Sequence, residues 1–133
     1  MSDEKVVYKE LSFEVVGVMF DVHNELGAGH KEQVYQKAIA KGLKAKNIKF
    51  QEQVYFPLEY KGEKVGAYYL DFLIENKLVL EIKRNNRFSK QEFEQVQKYL
   101  ETTNRKLAIL ASFTQDGVKF YRVLNQQPKK SFK

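Results

Sequence analysis

The segment from Val65 to Lys83 constrains this chain more than any other. Two apolar, aromatic-rich runs, Val65 to Ile74 and Leu78 to Lys83, are separated only by Glu75-Asn76-Lys77. Runs of this kind read as two strands joined by a tight turn. Strands joined so closely must pair antiparallel, so their neighbours follow without any long-range assumption. If Glu75-Asn76-Lys77 is the turn, Ile74 pairs near Leu78 and Asp71 falls opposite Glu81. A two-residue turn moves Asp71 opposite Leu80, still next door. The Leu78-Val79-Leu80 run lacks polar alternation and predicts burial on both faces.

The flanking sequence supplies the other elements. Leu11, Val15, Val18, Val22 and Leu26 recur at helical steps, widened by Val16 and Met19, and predict an amphipathic helix to about Glu25. Gly27-Ala28-Gly29 ends it. A second helix is expected over about His30 to Lys46, with Val34, Ala38, Leu43 and Ala45 on or near its inner face and Asn47 as its cap. Ile48 to Leu58 is β-like, and Pro57 points to an edge strand. Ser89-Lys90-Gln91-Glu92 is a capping box, flanked by Phe88 and Phe93 at staple positions. The helix it opens carries Phe93, Val96 and Leu100 inward and ends near Thr102-Thr103-Asn104. Leu107 to Phe113 is a buried strand, and Val118 to Leu124 follows the Asp116-Gly117 turn. The predicted order is α-α-β-β-β-α-β-β. It fits an α/β structure with a mixed central sheet flanked by helices.

The expected organisation is one domain over residues 1–133, with a core of about 11–124 and a loose basic tail over 125–133. No apolar run approaches the roughly 20 residues that span a bilayer. The charged start MSDEKVVYKE has no apolar signal region. The chain has no Cys, which excludes disulfides and thiolate metal sites. A cytoplasmic setting without membrane contact is the expectation. Lys and Arg number 23 against 17 Asp and Glu, a formal charge of +6 that favours polyanionic partners.

An acid-x-Lys triplet means little in so charged a chain. Four occur: Asp3/Lys5, Glu59/Lys61, Glu75/Lys77 and Glu81/Lys83. Only the last lies in a strand entered from an apolar run. Residues i and i+2 of a strand share a face, so Glu81 and Lys83 project together while Ile82 points into packing. Asp71 joins them across the hairpin. Two partly buried carboxylates repel, and a divalent cation would offset both penalties. Oxygen-only ligands favour Mg²⁺ or Mn²⁺ over zinc. The alternative is a strand-end ion pair in which Lys83 simply neutralises Glu81.

Asp71 followed by Glu81-Ile82-Lys83 resembles the PD-(D/E)XK nuclease superfamily, with Leu70 where a Pro usually stands. Gly29-His30-Lys31-Glu32-Gln33-Val34-Tyr35 matches the pattern that names the GxxExxY family of that superfamily. Val22-His23-Asn24-Glu25-Leu26-Gly27 and Tyr60-Lys61-Gly62 fit its surroundings. Gln95-Val96-Gln97-Lys98-Tyr99 resembles the QxxxY motif of the exonuclease-like branch. The likeness covers roughly residues 11 to 113. It implies a restriction-endonuclease-like fold and a metal-dependent nuclease. By this likeness Asp71 and Glu81 bind the metal, joined by the Ile82 carbonyl and by Glu32, directly or through water. Lys83 orients water and stabilises developing charge, and Gln95 and Tyr99 face the site. Glu32 also suits a helix's first turn on dipole grounds.

Tyr35 is read as packing, and His23 as structural rather than an extra ligand. Arg84 and Arg87 follow Lys83 closely and are candidate phosphate contacts. The expected partner is nucleic acid, DNA ahead of RNA, with a homodimer allowed. Two rival readings stand. One is a nucleic-acid-binding module of nuclease fold without catalysis. The other is a scaffold that docks a partner or a second copy through Tyr55, Tyr60, Tyr68 and Tyr69.

Overall fold

The computed structural model describes residues 7–83 and 86–128. Its elements are α1 (Lys9–Leu26), α2 (Glu32–Ala45), β1 (Phe50–Tyr60), β2 (Glu63–Ile74), β3 (Leu78–Lys83), α3 (Lys90–Thr103), β4 (Leu107–Thr114) and β5 (Gly117–Leu124). The order is the predicted one. A five-stranded sheet runs β1-β2-β3-β4-β5. Only β3 and β4 pair in parallel, and α3 makes the crossover between them. β1, which carries Pro57, is an edge strand.

Helices cover both faces of the sheet. On one face α1 and α2 bury Val15, Val18, Met19, Tyr35, Ile39 and Leu43 against Phe72, Leu78, Leu80, Ile82 and Ile109. On the other, α3 packs Val96, Tyr99 and Leu100 over Leu73, Val79, Ala108 and Leu110. β4 is buried along its whole length and β3 up to Ile82, as strands between two helical layers must be.

α2 presents a different face from the expected one. Val34 is 38% exposed and Ala45 is also exposed, while Tyr35 and Ile39 are fully buried. Tyr35 stacks on Phe113 with centroids 4.1 Å apart, and its hydroxyl donates to the Gly27 carbonyl. An amphipathic ring with a partner for its polar tip serves as core there. The start of the expected loose tail is docked. Asn125 donates from its backbone to the Lys106 carbonyl and from its side chain to the Leu100 and Arg105 carbonyls. The aromatic face is also divided. Tyr55, Tyr60 and Tyr69 are exposed, but Tyr68 turns in against Tyr99.

Strand alternation breaks at one level of the sheet. In β2, Phe72 and Ile74 face α1 and α2, yet Leu70 and Tyr68 face α3. In β1, Phe50 faces α1 and α2, while Val54 and Phe56 face α3. Regular pairing would keep each of these sets on one side. Both strands therefore change faces between these positions, at Gln53 and Asp71. The register skips that pair, passing from Glu52↔Phe72 to Val54↔Leu70. Gln53 has φ 48°, a left-handed conformation that costs a non-glycine residue on the order of 1 kcal/mol.

Candidate active site at the fork between β2 and β3

The hairpin register is the one that a three-residue turn dictates. Ile74 pairs with Leu78, Leu73 with Val79 and Phe72 with Leu80. Glu75 and Asn76 adopt left-handed conformations, and the Lys77 amide donates to the Ile74 carbonyl, closing the turn. Asp71 is then opposite Glu81, but there the ladder gives way to side chains. The Asp71 amide donates to Glu81 Oε2 at 2.9 Å, and the Ile82 amide donates to Asp71 Oδ2 at 2.8 Å. Each carboxylate thus accepts a backbone hydrogen bond from the opposite strand, and the two strands fork.

Asp71 has further partners. The Gln36 carboxamide donates to its carbonyl at 3.3 Å and to Glu52 Oε1 at 3.1 Å. Gln53 lies beside Asp71 in a shared cleft, and its carboxamide favours the charged form of the carboxyl group. The amide, the carbonyl and Oδ2 of Asp71 each have a partner outside the β-ladder, which answers the need of buried polar groups for partners.

Both carboxyls are held above their ordinary range. For Asp71 the main cause is burial, opposed by the Ile82 amide and assisted by the Glu32 charge. Glu81, 3% exposed, is pushed up to about 8 by burial first and by the Asp71 charge second. Lys83 lies on the same face and its charge lowers both. It closes no salt bridge on either, for the ion pairs among the described residues are Lys46–Glu14 and Lys98–Glu101. The simple strand-end ion pair is therefore not what the structure contains. Tyr99, on α3, lies within the field of the pair. Burial and the charges of Glu81 and Asp71 push its hydroxyl up to about 12.

The other expected site residues divide. Glu32 is the exposed first residue of α2, and its charge acts on both carboxyls. It lines a cleft of about 110 Å³ with Gln33, Gln36, Gln53 and Asp71. Ile82 contributes its backbone, its side chain being fully buried. Gln95 is exposed on α3, whereas Tyr99 is buried there. Arg87 is exposed ahead of α3, and Arg84 lies outside the described residues. His23 is structural, hydrogen-bonded to the Thr114 carbonyl at 2.8 Å and stacked on Phe113. A larger cleft of about 860 Å³ lies between α1, the β2–β3 turn and β5. No interlocked acids line it.

Gln36 and Gln53 are absent from the expected set. No motif marks them. The one signal in the sequence is the loss of alternation at Leu70-Asp71-Phe72-Leu73, where apolar residues stop keeping to one parity.

The donor set suits a hard cation. Among the described residues no three His, Cys, Asp or Glu side chains gather tightly enough to form a protein cage for an ion. Mg²⁺ does not require one, since it keeps several waters and takes one or two carboxylates.

The chain is similar to known proteins in sequence profile and in fold. A family profile described as the PD-(D/E)XK nuclease superfamily matches residues 9–123. The solved structure of SSO0001 is similar, with 19% identity and a TM-score of 0.55, over 96% of this chain and 60% of that one. An alkaline exonuclease (LHK-Exo) from Laribacter hongkongensis is similar at 12% identity and a TM-score of 0.52, over 95% of this chain and 73% of that one. This chain thus spans 60% of the length of the first of these structures. At such identities the likeness is one of fold. Comparison with curated proteins finds no match.

Proposed function

The chain belongs to the PD-(D/E)XK nuclease superfamily, and from that premise we propose that it hydrolyses phosphodiester bonds of nucleic acid, DNA ahead of RNA, at the Asp71–Glu81–Lys83 fork. The observation that carries this reading is the interlocked carboxylate pair with an unbridged lysine on the same face. Asp71 and Glu81, with the Ile82 carbonyl, would hold Mg²⁺ or Mn²⁺, and Glu32, standing off the pair, would act through water. Such an ion supplies a Lewis acid for the phosphate and lowers the pKa of a bound water.

The chain's own groups do the rest. The cross-strand amides fix the direction of both carboxylates. Lys83 offsets negative charge that builds on the phosphate in the transition state. Tyr99 keeps its proton and can donate a hydrogen bond. Arg87, exposed ahead of α3, is suited to a flanking phosphate. The cysteine-free chain suits a cytoplasmic setting.

The test is cleavage of single- and double-stranded DNA and RNA in Mg²⁺, Mn²⁺ or EDTA, by wild type, Lys83→Ala and Asp71→Asn. Wild type is expected to cut only with metal, and each substitution to lower kcat by about 10²-fold or more. Metal-dependent cleavage that survives both substitutions would place the activity elsewhere. Salt-sensitive binding without cleavage under any metal would leave a binding module of the same fold. A dimer in light scattering with no nucleic-acid binding at low salt would leave a scaffold.

A further inference from the structure

We propose that Gln53 is a positioning residue for Asp71, its left-handed backbone opening the sheet at that level and its carboxamide holding the carboxyl group in the fork. The inference rests on the reading of Asp71 as a site residue.

Three independent observations meet at Gln53. First, its φ of 48° is unlike the others of its kind. The remaining positive-φ residues other than glycine, Tyr8, Asn47, Lys61, Glu75, Asn76 and Asn104, all sit at helix ends or turns. Among the described residues Gln53 alone has this conformation within a strand. Glycine and asparagine adopt it with least strain, and the position holds neither. Strain of this kind persists where the surroundings enforce it, and it clusters at functional sites.

Second, the register sets Gln53 opposite Asp71, where β1 and β2 skip pairing between Glu52↔Phe72 and Val54↔Leu70; their other irregularity is a shift at Leu58/Glu59, near the far end of the pair. A left-handed residue turns its peptide groups away from the neighbouring strand. Asp71 is thereby released from the ladder, and its amide and carbonyl are free to be taken by Glu81 and Gln36. Third, the Gln53 side chain returns to the same residue. It lines the cleft with Asp71, Glu32 and Gln36, where its carboxamide favours the charged form of the Asp71 carboxyl group. A carboxylate held by the Ile82 amide, with the Gln53 carboxamide beside it in the cleft, is restrained in direction as one between a donor and solvent is not.

Backbone and side chain can be separated by substitution. Gln53→Gly keeps the left-handed conformation without strain and removes the carboxamide. Gln53→Asn keeps an amide and tolerates the same backbone. Gln53→Val disfavours the kink. The readout is hydrogen exchange in metal-free protein at the Ile82 amide, which donates to Asp71 Oδ2, with Leu80 of the same strand as reference. In Gln53→Gly, Ile82 exchange is expected to quicken by about 10-fold while Leu80 is unchanged, with partial recovery in Gln53→Asn. Mn²⁺ affinity and kcat should fall by about 10- to 100-fold with KM little changed. Ile82 exchange that stays at the wild-type rate, or that quickens only in step with Leu80, would overturn the proposal. Gln53→Val with wild-type exchange and metal affinity would overturn the role of the kink. If wild type fails to cleave any nucleic acid, the nuclease reading falls, and the exchange experiment still decides the role of Gln53.

Discussion

At the scale of single residues, Asp71 and Glu81 are costly neighbours that the fold retains. Two carboxyls that share one fork keep each other from ionising. The consequence for Glu81 has a definite sign. Its ordinary value is 4.5 and its folded value about 8, so folding takes up a proton between those limits. Its contribution to stability is greatest below about 4.5 and is lost as pH rises to about 8. Asp71, also raised, acts in the same sense. In thermal melts without metal, Tm is expected to fall over this pH range. Glu81→Gln should flatten the fall and raise Tm at its alkaline end by several degrees, on the scale of about 4 °C per kcal/mol. Adding Mn²⁺ should stabilise wild type most at the alkaline end, where protons no longer compete, and Glu81→Gln much less. A Glu81→Gln protein as sensitive to pH as wild type would assign the titration to another group. Asp71, Glu81 and Lys83 were legible in the sequence because a hairpin fixes its own neighbours. Gln53 was not, since no residue pattern announces a left-handed glutamine in a strand.

At the scale of elements, α3 was the most legible. Ser89 Oγ accepts from the Glu92 amide at 3.1 Å, and the Ser89 amide donates to Glu92 Oε1 at 2.9 Å, completing the capping box. The Phe88 and Phe93 rings meet beside it with centroids 6.1 Å apart. Capping is local chemistry, carried by residues within one turn, so the sequence suffices to read it. Ser89→Ala is expected to cost about 1 kcal/mol in urea denaturation. Because α3 holds Tyr99 within the field of the carboxylates, the same substitution should lower cleavage more than binding. A change in neither would show that α3 is held by its packing alone. The inner face of α2 was legible only in part. Leu43 is buried as expected, but Tyr35 and Ile39 take the places given to Val34 and Ala45. A turn of the helix by one residue decides between these stripes, and contact with Phe113 settles it.

At the scale of the whole molecule, β3 and β4 lie between two helical layers, and the site opens where β3 leaves that core. Leu80 is fully buried on the α1–α2 side. Leu80→Ala should cost about 2–5 kcal/mol in urea denaturation, the usual penalty for a cavity in a closed core. A cost under about 1 kcal/mol would mean that the helical layer collapses onto the gap. By itself the sequence determined the element order, the hairpin register, the α3 cap and the three residues that register brings together. Each depends on neighbours a few residues apart, where chain geometry leaves few choices. Only the tertiary structure decided which face α2 buries, that β1 and β2 change sides at Gln53 and Asp71, and that Tyr99 is buried within the field of the carboxylates while Gln95 stays in solvent. Those outcomes depend on how separate elements meet, and small rotations and a single left-handed residue change them without altering any local pattern.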